Sequence, residues 1–342
     1  MLRFTRYIIG VALLWAIASP HTATAQLDRR TLKFDFPGVK FGTTEDLGGP
    51  TGVTTILFDK SVMAVADLRG GSMSTRDTNA LEGTHGQPLI DALVFAGSSR
   101  FGLSAADGVN RLLFELRAKS AGHNRARDLV IPGVAGSVIY DFSLRENSVL
   151  VSADLGRQSA IQAQANQIAI GRVGAGVGAA VGKLFGRNQA EHSGQGAHFL
   201  RYQNHRVLAI VVLNAAGNVL GRSGQVIAGS HKKKENQRRS IPKAILQGES
   251  VVKFPASNEL NSTLTALITD APLSRMELKH IAMTAHAALG KVIEPFQTSR
   301  DGDAFYVITT KPVGSADSNM ALNLGLVAGD AVQEAVWSIF KH

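Results

Sequence analysis

The sequence predicts a mixed α/β (α+β) fold packed in layers. Three observations carry this. Runs with β-like patterning, such as Val53, Ile56 and Phe58 or Arg206 to Leu213, are interspersed with helical patterns. Leu278, Ile281, Ala282, Ala285 and Leu289 recur at the spacing of one helix face, so sheets and helices must cover each other. A hydrophobic fraction of 44% and a charged fraction of 18% place the chain among globular proteins, with no internal repeat.

The first 25 residues read as a signal peptide. Arg3 and Arg6 form a positive start, Tyr7 to Ala18 an apolar core, and Ala23-Thr24-Ala25 a cleavage signal. Removal near Ala25-Gln26 would leave a periplasmic or secreted chain. The alternative is an uncleaved anchor, although the apolar stretch is short for a span. No later segment approaches that length, so stable membrane insertion is not expected.

Thr51 to Arg69 reads as two strands around a turn at Asp59-Lys60. Ser104 is placed to cap a helix with Val109, Leu112, Leu113 and Leu116 on one face and a stop at Gly122. Val138-Ile139-Tyr140 and Arg206 to Leu213 read as buried strands, the second followed by a turn over Asn214 to Asn218. Residues 224–248 are polar, basic and glycine-containing, and read as a mobile surface linker. Beyond them Ser262 to Thr269 is a strand, Ser274-Arg275-Met276-Glu277 a capping box, Ala304 to Thr310 a strand, and a last helix ends near Phe340.

Composition excludes several chemistries. With no cysteine there are no disulfides, thiolate nucleophiles or Cys-based metal sites. The ten histidines show no metal-ligand spacing, so neither a metal nor an organic cofactor is expected. Much of the formal charge of +9 sits in one run, His231 to Arg239. A basic run can grip nucleic acid. No aromatics interleave it to stack on bases, so a solvated loop and no nucleic-acid partner are expected.

The glycine-rich run Gly171 to Lys183 fails as a phosphate loop, because Leu184 stands where Ser or Thr should reach magnesium. Its glycines instead let backbone approach a reacting group and offer N–H donors. Spacing alone leaves Lys183 either a site cation or a surface residue. Asp301-Gly302-Asp303 could bind calcium or form a turn, but lacks the further ligands of an EF-hand loop. The most informative pair is Asn261-Ser262. A hydroxyl after a small polar residue, at the head of an apolar strand, suits a chain that cuts itself. The Ser262 hydroxyl can attack the Asn261 carbonyl and shift the acyl group from nitrogen to oxygen. Hydrolysis of the ester then frees an α-amine beside its own hydroxyl, the activation route of N-terminal nucleophiles.

Several segments together resemble one family. They are Gly49-Pro50-Thr51-Gly52-Val53-Thr54, Asp67-Leu68-Arg69-Gly70-Gly71 with Thr75 to Thr78, Phe101 to Val109, the glycine run ending at Lys183, Val212-Leu213-Asn214-Ala215, Asn261-Ser262-Thr263 and Asp301-Gly302-Asp303, in that order. The family is the self-cleaving N-terminal-nucleophile peptidases that include the β-peptidyl aminopeptidases, the D-aminopeptidase and the nylon-oligomer endo-hydrolase. The resemblance implies a four-layer α/β/β/α sandwich and hydrolysis of a small peptide or linear amide. It also implies a homotetramer of processed heterodimers, with 26–261 as large subunit and 262–342 as small subunit of one catalytic domain. Ser262 would be the nucleophile and Asn261 the residue before the cut. Asn214 would serve the oxyanion site, Lys183 and Tyr140 would line the pocket and aid proton transfer, and Asp301 and Asp303 would orient the new amine. The acidic pair is similar to the nylon-hydrolase branch, which however has threonine as nucleophile. Ser98 stands where glycine is usual, and Leu264-Thr265-Ala266 replaces a glycine-containing strand, a change expected to narrow the pocket. Strict β- or D-amino-acid aminopeptidase activity is one alternative, and a non-enzymatic exported binding protein another.

Overall fold

The computed structural model describes residues 28–82, 89–122, 128–252, 261–312, 314 and 319–341. The expected signal peptide lies outside the described residues. Among those described, no helix is long and apolar enough to cross a membrane. The principal strands are β1 (Arg29–Lys33), β2 (Val39–Asp46), β3 (Thr51–Gly70), β4 (Leu89–Ala96), β5 (Val134–Val138), β6 (Gln167–Gly171), β7 (Gln195–Tyr202), β8 (His205–Asn214), β9 (Ser262–Thr269) and β10 (Gly302–Thr309). The principal helices are α1 (Ser104–Ala121), α2 (Ala153–Ile161), α3 (Arg275–Ala288) and α4 (Met320–Ser338).

The strands join in the order β1-β6-β7-β8-β9-β10-β3-β4-β5, with β2 beside the first half of β3. The pair β9–β10 is parallel, whereas β8–β9 and β10–β3 are antiparallel. β3 connects two layers. Its first half pairs with β2 and β4, and its second half with β10. Between them the register with β4 jumps from Leu57↔Ala92 to Val62↔Ile90. The expected turn at Asp59-Lys60 is therefore a bulge in one 20-residue strand. Both residues are exposed there, and a bulge bends a strand without ending it.

Alternation along the strands builds four layers. Leu208, Ile210 and Val212 of β8, Leu264, Ala266 and Ile268 of β9, and Tyr306 and Ile308 of β10 face Ile56 and Phe95 across the gap between the two sheets. Their neighbours Val207, Ala209, Val211, Leu267, Phe305 and Val307 face outward against Leu278, Ile281 and Ala285 of α3 and Leu324, Ala328 and Val332 of α4. On the far side Val53, Ala92 and Val94 pack on Ala105, Val109 and Leu112 of α1. The result is an α/β/β/α sandwich in which both faces of each sheet are covered.

The capping box at Ser274 and Glu277 forms as the sequence predicts. Other local expectations shift. Ser104 is the first residue of α1, not its cap. A 3₁₀ turn over Ser99–Leu103 feeds the helix, and the Ser104 hydroxyl donates to the Phe101 carbonyl. The expected strand at Val138 to Tyr140 ends at Val138. The largest difference concerns 224–248. It is folded, with a strand at Val226–Ala228, a hairpin of His231–Lys232 and Gln237–Arg238, and a short helix at Ile241–Leu246. Arg238 grips both carboxylate oxygens of Glu191 at 2.7 and 2.8 Å, and Arg239 bonds Gln189 and Glu249. Ile241 and Ala244 pack on Leu184, Phe185 and Ala216. Polarity suggested a linker because the charges that pair with this run lie elsewhere in the chain.

Candidate active site

Ser262 opens β9 between two strands. Opposite it on β8 stands Asn214. On the other side the parallel ladder with β10 extends one register place beyond the strand, as a bridge between Asn261 and Asp301. In that bridge the Asn261 N–H donates to the Arg300 carbonyl at 3.0 Å, and the Gly302 N–H donates to the Asn261 carbonyl at 2.6 Å. The Ser262 hydroxyl donates to the same carbonyl oxygen at 2.6 Å. Asn261 and Ser262 are each only 3% exposed. The peptide bond between them is thus held straight by a sheet, with its carbonyl within reach of the hydroxyl.

Asn214 and Ser262 occupy the register face that looks between the two sheets, continuing Val212 and Leu264. Lys183 joins them there, 1% exposed. Its Nζ donates to the Asn214 main-chain oxygen and to Oδ1, both at 2.9 Å. Asn214 Oδ1 also accepts the Ala180 N–H at 3.1 Å, and Nδ2 donates to the Tyr140 carbonyl at 3.0 Å. Tyr140 therefore reaches this cluster through its main chain. The glycine run makes the placement possible. Gly182 turns the chain with φ of +71°, and a Cβ there would lie 2.0 Å from the Ser230 nitrogen. Lys183 N–H then bonds Ala216 O at 3.0 Å.

The carboxylates lie on the opposite face, toward α3 and α4. Asp301 stands in the bridge just before β10 and Asp303 is the second residue of β10, so their carboxylates share a face because extended residues two apart do. The Asp301-Gly302-Asp303 run is extended, and the turn ends at Asp301. Asp301 is 1% exposed and Asp303 fully buried. Asp301 accepts the N–H groups of Ala216 at 3.0 Å and Thr298 at 3.1 Å, and the Thr298 hydroxyl. Asp303 Oδ1 accepts the Thr263 N–H at 2.7 Å, while Oδ2 has no partner among the described residues. Burial, and then the neighbouring Asp301 charge, push the Asp303 carboxyl well above the usual range. Amides of a strand alternate in direction. With Asn261 and Thr263 committed to the β10 side, the Ser262 N–H faces β8. In the uncut chain Asp303 thus bonds the amide one residue beyond the nucleophile.

Further residues position the site, and of these only Asp141 and Arg145 carried no sequence signal. Gly70, with φ of +87°, lies where a Cβ would come 2.3 Å from the Asp301 carbonyl oxygen, and a Cβ on Gly71 would meet Ser299 O at 2.3 Å. The arginine-glycine-glycine motif lets β3 lie flush against the loop that carries the acidic pair. Asp141, next to Tyr140, is wholly buried. It accepts from Arg145 at 3.1 Å, Thr51 at 2.5 Å and the Ser98 N–H at 2.9 Å. Burial raises its carboxyl against the pull of Arg145. Ser98 has φ of 64°, a conformation that suits glycine, and its hydroxyl accepts the Val151 N–H at 2.9 Å. The spacing of Asp141 and Arg145 was visible in the sequence, but nothing there marked either as buried. Leu264 is 1% exposed and packs in the core between the sheets, on the face that carries Ser262.

Comparison with known proteins agrees with this architecture. The sequence profile of peptidase family S58 matches residues 34–340. A 6-aminohexanoate-oligomer endohydrolase of Kocuria sp. (strain KY2) is 32% identical over 322 residues, covering 92% of this chain and 87% of that protein. Among solved structures, the L-aminopeptidase D-Ala-esterase/amidase of Ochrobactrum anthropi, described as a variant of the Ntn hydrolase fold, matches with a TM-score of 0.68. It covers 92% of this chain and 88% of that one at 19% identity. A Burkholderia sp. β-aminopeptidase matches with a TM-score of 0.64 over 91% and 88%, also at 19% identity. At such identity the likeness speaks to fold, which is that of the N-terminal-nucleophile hydrolases.

Proposed function

Because the chain belongs to peptidase family S58 and is an amide hydrolase, we propose that it cuts itself between Asn261 and Ser262 and then hydrolyses small amides through an ester on Ser262. The observation that carries this is the scissile carbonyl itself. Its oxygen takes hydrogen bonds from the Ser262 hydroxyl and the Gly302 N–H, both at 2.6 Å, in a buried ladder position.

In the first reaction the Ser262 Oγ–C bond forms, the C–N bond breaks, and the hydroxyl proton passes to the departing nitrogen. Water then cleaves the ester, leaving Asn261 with a carboxylate and Ser262 with a free amine. In each later turnover that amine takes the hydroxyl proton and hands it to the leaving amine of the substrate, and water releases the acyl group. Lys183 holds Asn214 opposite the nucleophile and offers Nζ to the charge that develops between the sheets. The carboxyls of Asp301 and Asp303 favour the protonated amine from the other face. No metal or organic cofactor takes part in this scheme. Export rests on the N-terminal sequence pattern, and assembly into a tetramer of processed heterodimers completes the proposal. Intact-mass measurement of the purified, folded protein is the direct test. A single uncut chain with no amidase activity would sink the reading.

A further inference from the structure

The backbone around Asn261 makes a specific demand on whatever replaces it. Cutting and departure of that residue take from the Gly302 N–H its acceptor at 2.6 Å, and from the Arg300 carbonyl the Asn261 N–H at 3.0 Å and Nδ2 at 3.1 Å. Gly302 is buried, and leaving a buried donor unpaired is costly. We propose that the Arg300–Gly302 backbone edge is the acyl-side subsite of the cut enzyme, and that it takes an extended α-aminoacyl unit in the ladder place Asn261 holds in the uncut chain. This deepens the self-cleavage reading and rests on it.

Three features support the assignment. First, the bridge between Asn261 and Asp301 is parallel, so one residue reaches the residues before and after its partner with its own N–H and carbonyl. Only an N–Cα–C=O unit has that spacing. A β-aminoacyl unit inserts a methylene, and a 6-aminohexanoyl unit carries its N–H far beyond Arg300. Second, a carbonyl seated there is within reach of Ser262 Oγ and already faces an N–H donor. The side-chain amide of Asn214 commits one of its two N–H groups to Tyr140. Gly302 N–H is a donor that stabilises the oxyanion from the β10 side. Third, a Cβ at Gly302 would lie 2.4 Å from Ser72 O, so this stretch of the subsite is backbone alone. Asn261 is 3% exposed, so the side-chain position of the subsite is enclosed. Attachment of one added residue to a sheet edge is β-augmentation at its shortest.

The test uses the cut, full-length protein and four p-nitroanilides sharing one leaving group. Their acyl parts are N-acetyl-L-alanine, N-acetyl-N-methyl-L-alanine, N-acetyl-β-alanine and 6-acetamidohexanoic acid. The acetyl-alanyl compound should exceed each of the others about tenfold or more in kcat/KM, the size of one lost hydrogen bond in a buried site. Equal or faster hydrolysis of the N-methyl or 6-acetamidohexanoyl compound would overturn the subsite. A second measurement needs no substrate. Asn261→Pro removes the N–H that bonds Arg300, and should cut itself about tenfold or more slowly than Asn261→Ala. Equal rates for the two variants would overturn the proposal. If the cut protein hydrolyses none of the four N-acylated compounds, the same series with free amines separates an aminopeptidase from an inactive protein, and the two self-cleavage rates still decide the role of the edge.

Discussion

Asn214 and Ser262 are direct partners across the antiparallel β8–β9 ladder, and Lys183 bonds Asn214 on the same face at two points. The nucleophile is therefore coupled to a buried lysine through one asparagine. Lys183→Met keeps most of the volume and removes only the amine. Self-cleavage should slow about 100-fold or more, the range for loss of a group that assists proton transfer. Circular dichroism should show the fold retained while gel electrophoresis shows the chain uncut. Cleavage of the Met variant at the parent rate would remove Lys183 from the mechanism.

Cutting after Asn261 should give fragments of 236 residues (26–261) and 81 residues (262–342) if the signal peptide is removed at Ala25-Gln26. Sequencing of the small fragment should begin Ser-Thr-Leu-Thr. Ser262→Ala should abolish both the cut and amide hydrolysis. Ser262→Thr and Ser262→Cys should keep some processing, since each retains a nucleophilic atom one bond beyond Cβ.

Asp303 offers a pH test. Its folded-state carboxyl stands above its unfolded value, near roughly 3.9. Such a group contributes stability that is complete below the unfolded pKa and is lost as pH rises through the folded one. In the uncut Ser262→Ala background, adding Asp303→Asn should therefore raise Tm at about pH 8. The gain should shrink toward about pH 4, where the aspartate is protonated in both states. With Ser262 intact, the same change should lower turnover and alter its pH profile. A Tm difference that does not vary with pH would contradict the raised carboxyl.

The basic hairpin divides into two classes. Lys233 and Lys234 are exposed at its tip, and replacing both with Ser should leave turnover unchanged. Arg238 and Arg239 brace Glu191 and Glu249, and through them the turn after Lys183. Arg238→Ser should cost about 1 kcal/mol, a fall in Tm of roughly 2 °C for a chain of this size. Melting curves of the two sets separate the tip from the brace.

Much of this was legible in the chain. Strand β9, the Ser274 capping box and the stop of α1 at Gly122 follow from local patterns, because their determinants are a few residues apart. The resemblance picked out Asn214, Lys183 and the acidic pair. What stayed hidden depends on distant partners. Glycines 70 and 71 are explained only by Asp301 and Ser299, more than two hundred positions on. The hairpin at 231–238 looked like a linker until Glu191 lay beside it. Local sequence also could not say that β3 bends through its polar pair, since a bulge and a turn use the same residues there.

β9 and β10 both follow Asn261 in the chain, yet they sit side by side in the sheet between β8 and β3, which precede it. A cut at that bond would leave two polypeptides that interleave, the shorter one supplying the middle of a sheet whose flanks belong to the longer. They could not separate without tearing two ladders. Folding of the uncut chain is a unimolecular event, but refolding of the cut one from denaturant would become a bimolecular encounter, with a yield that depends on concentration. The molecule would be assembled once, as one chain, and thereafter endure on the slowness of its own unfolding.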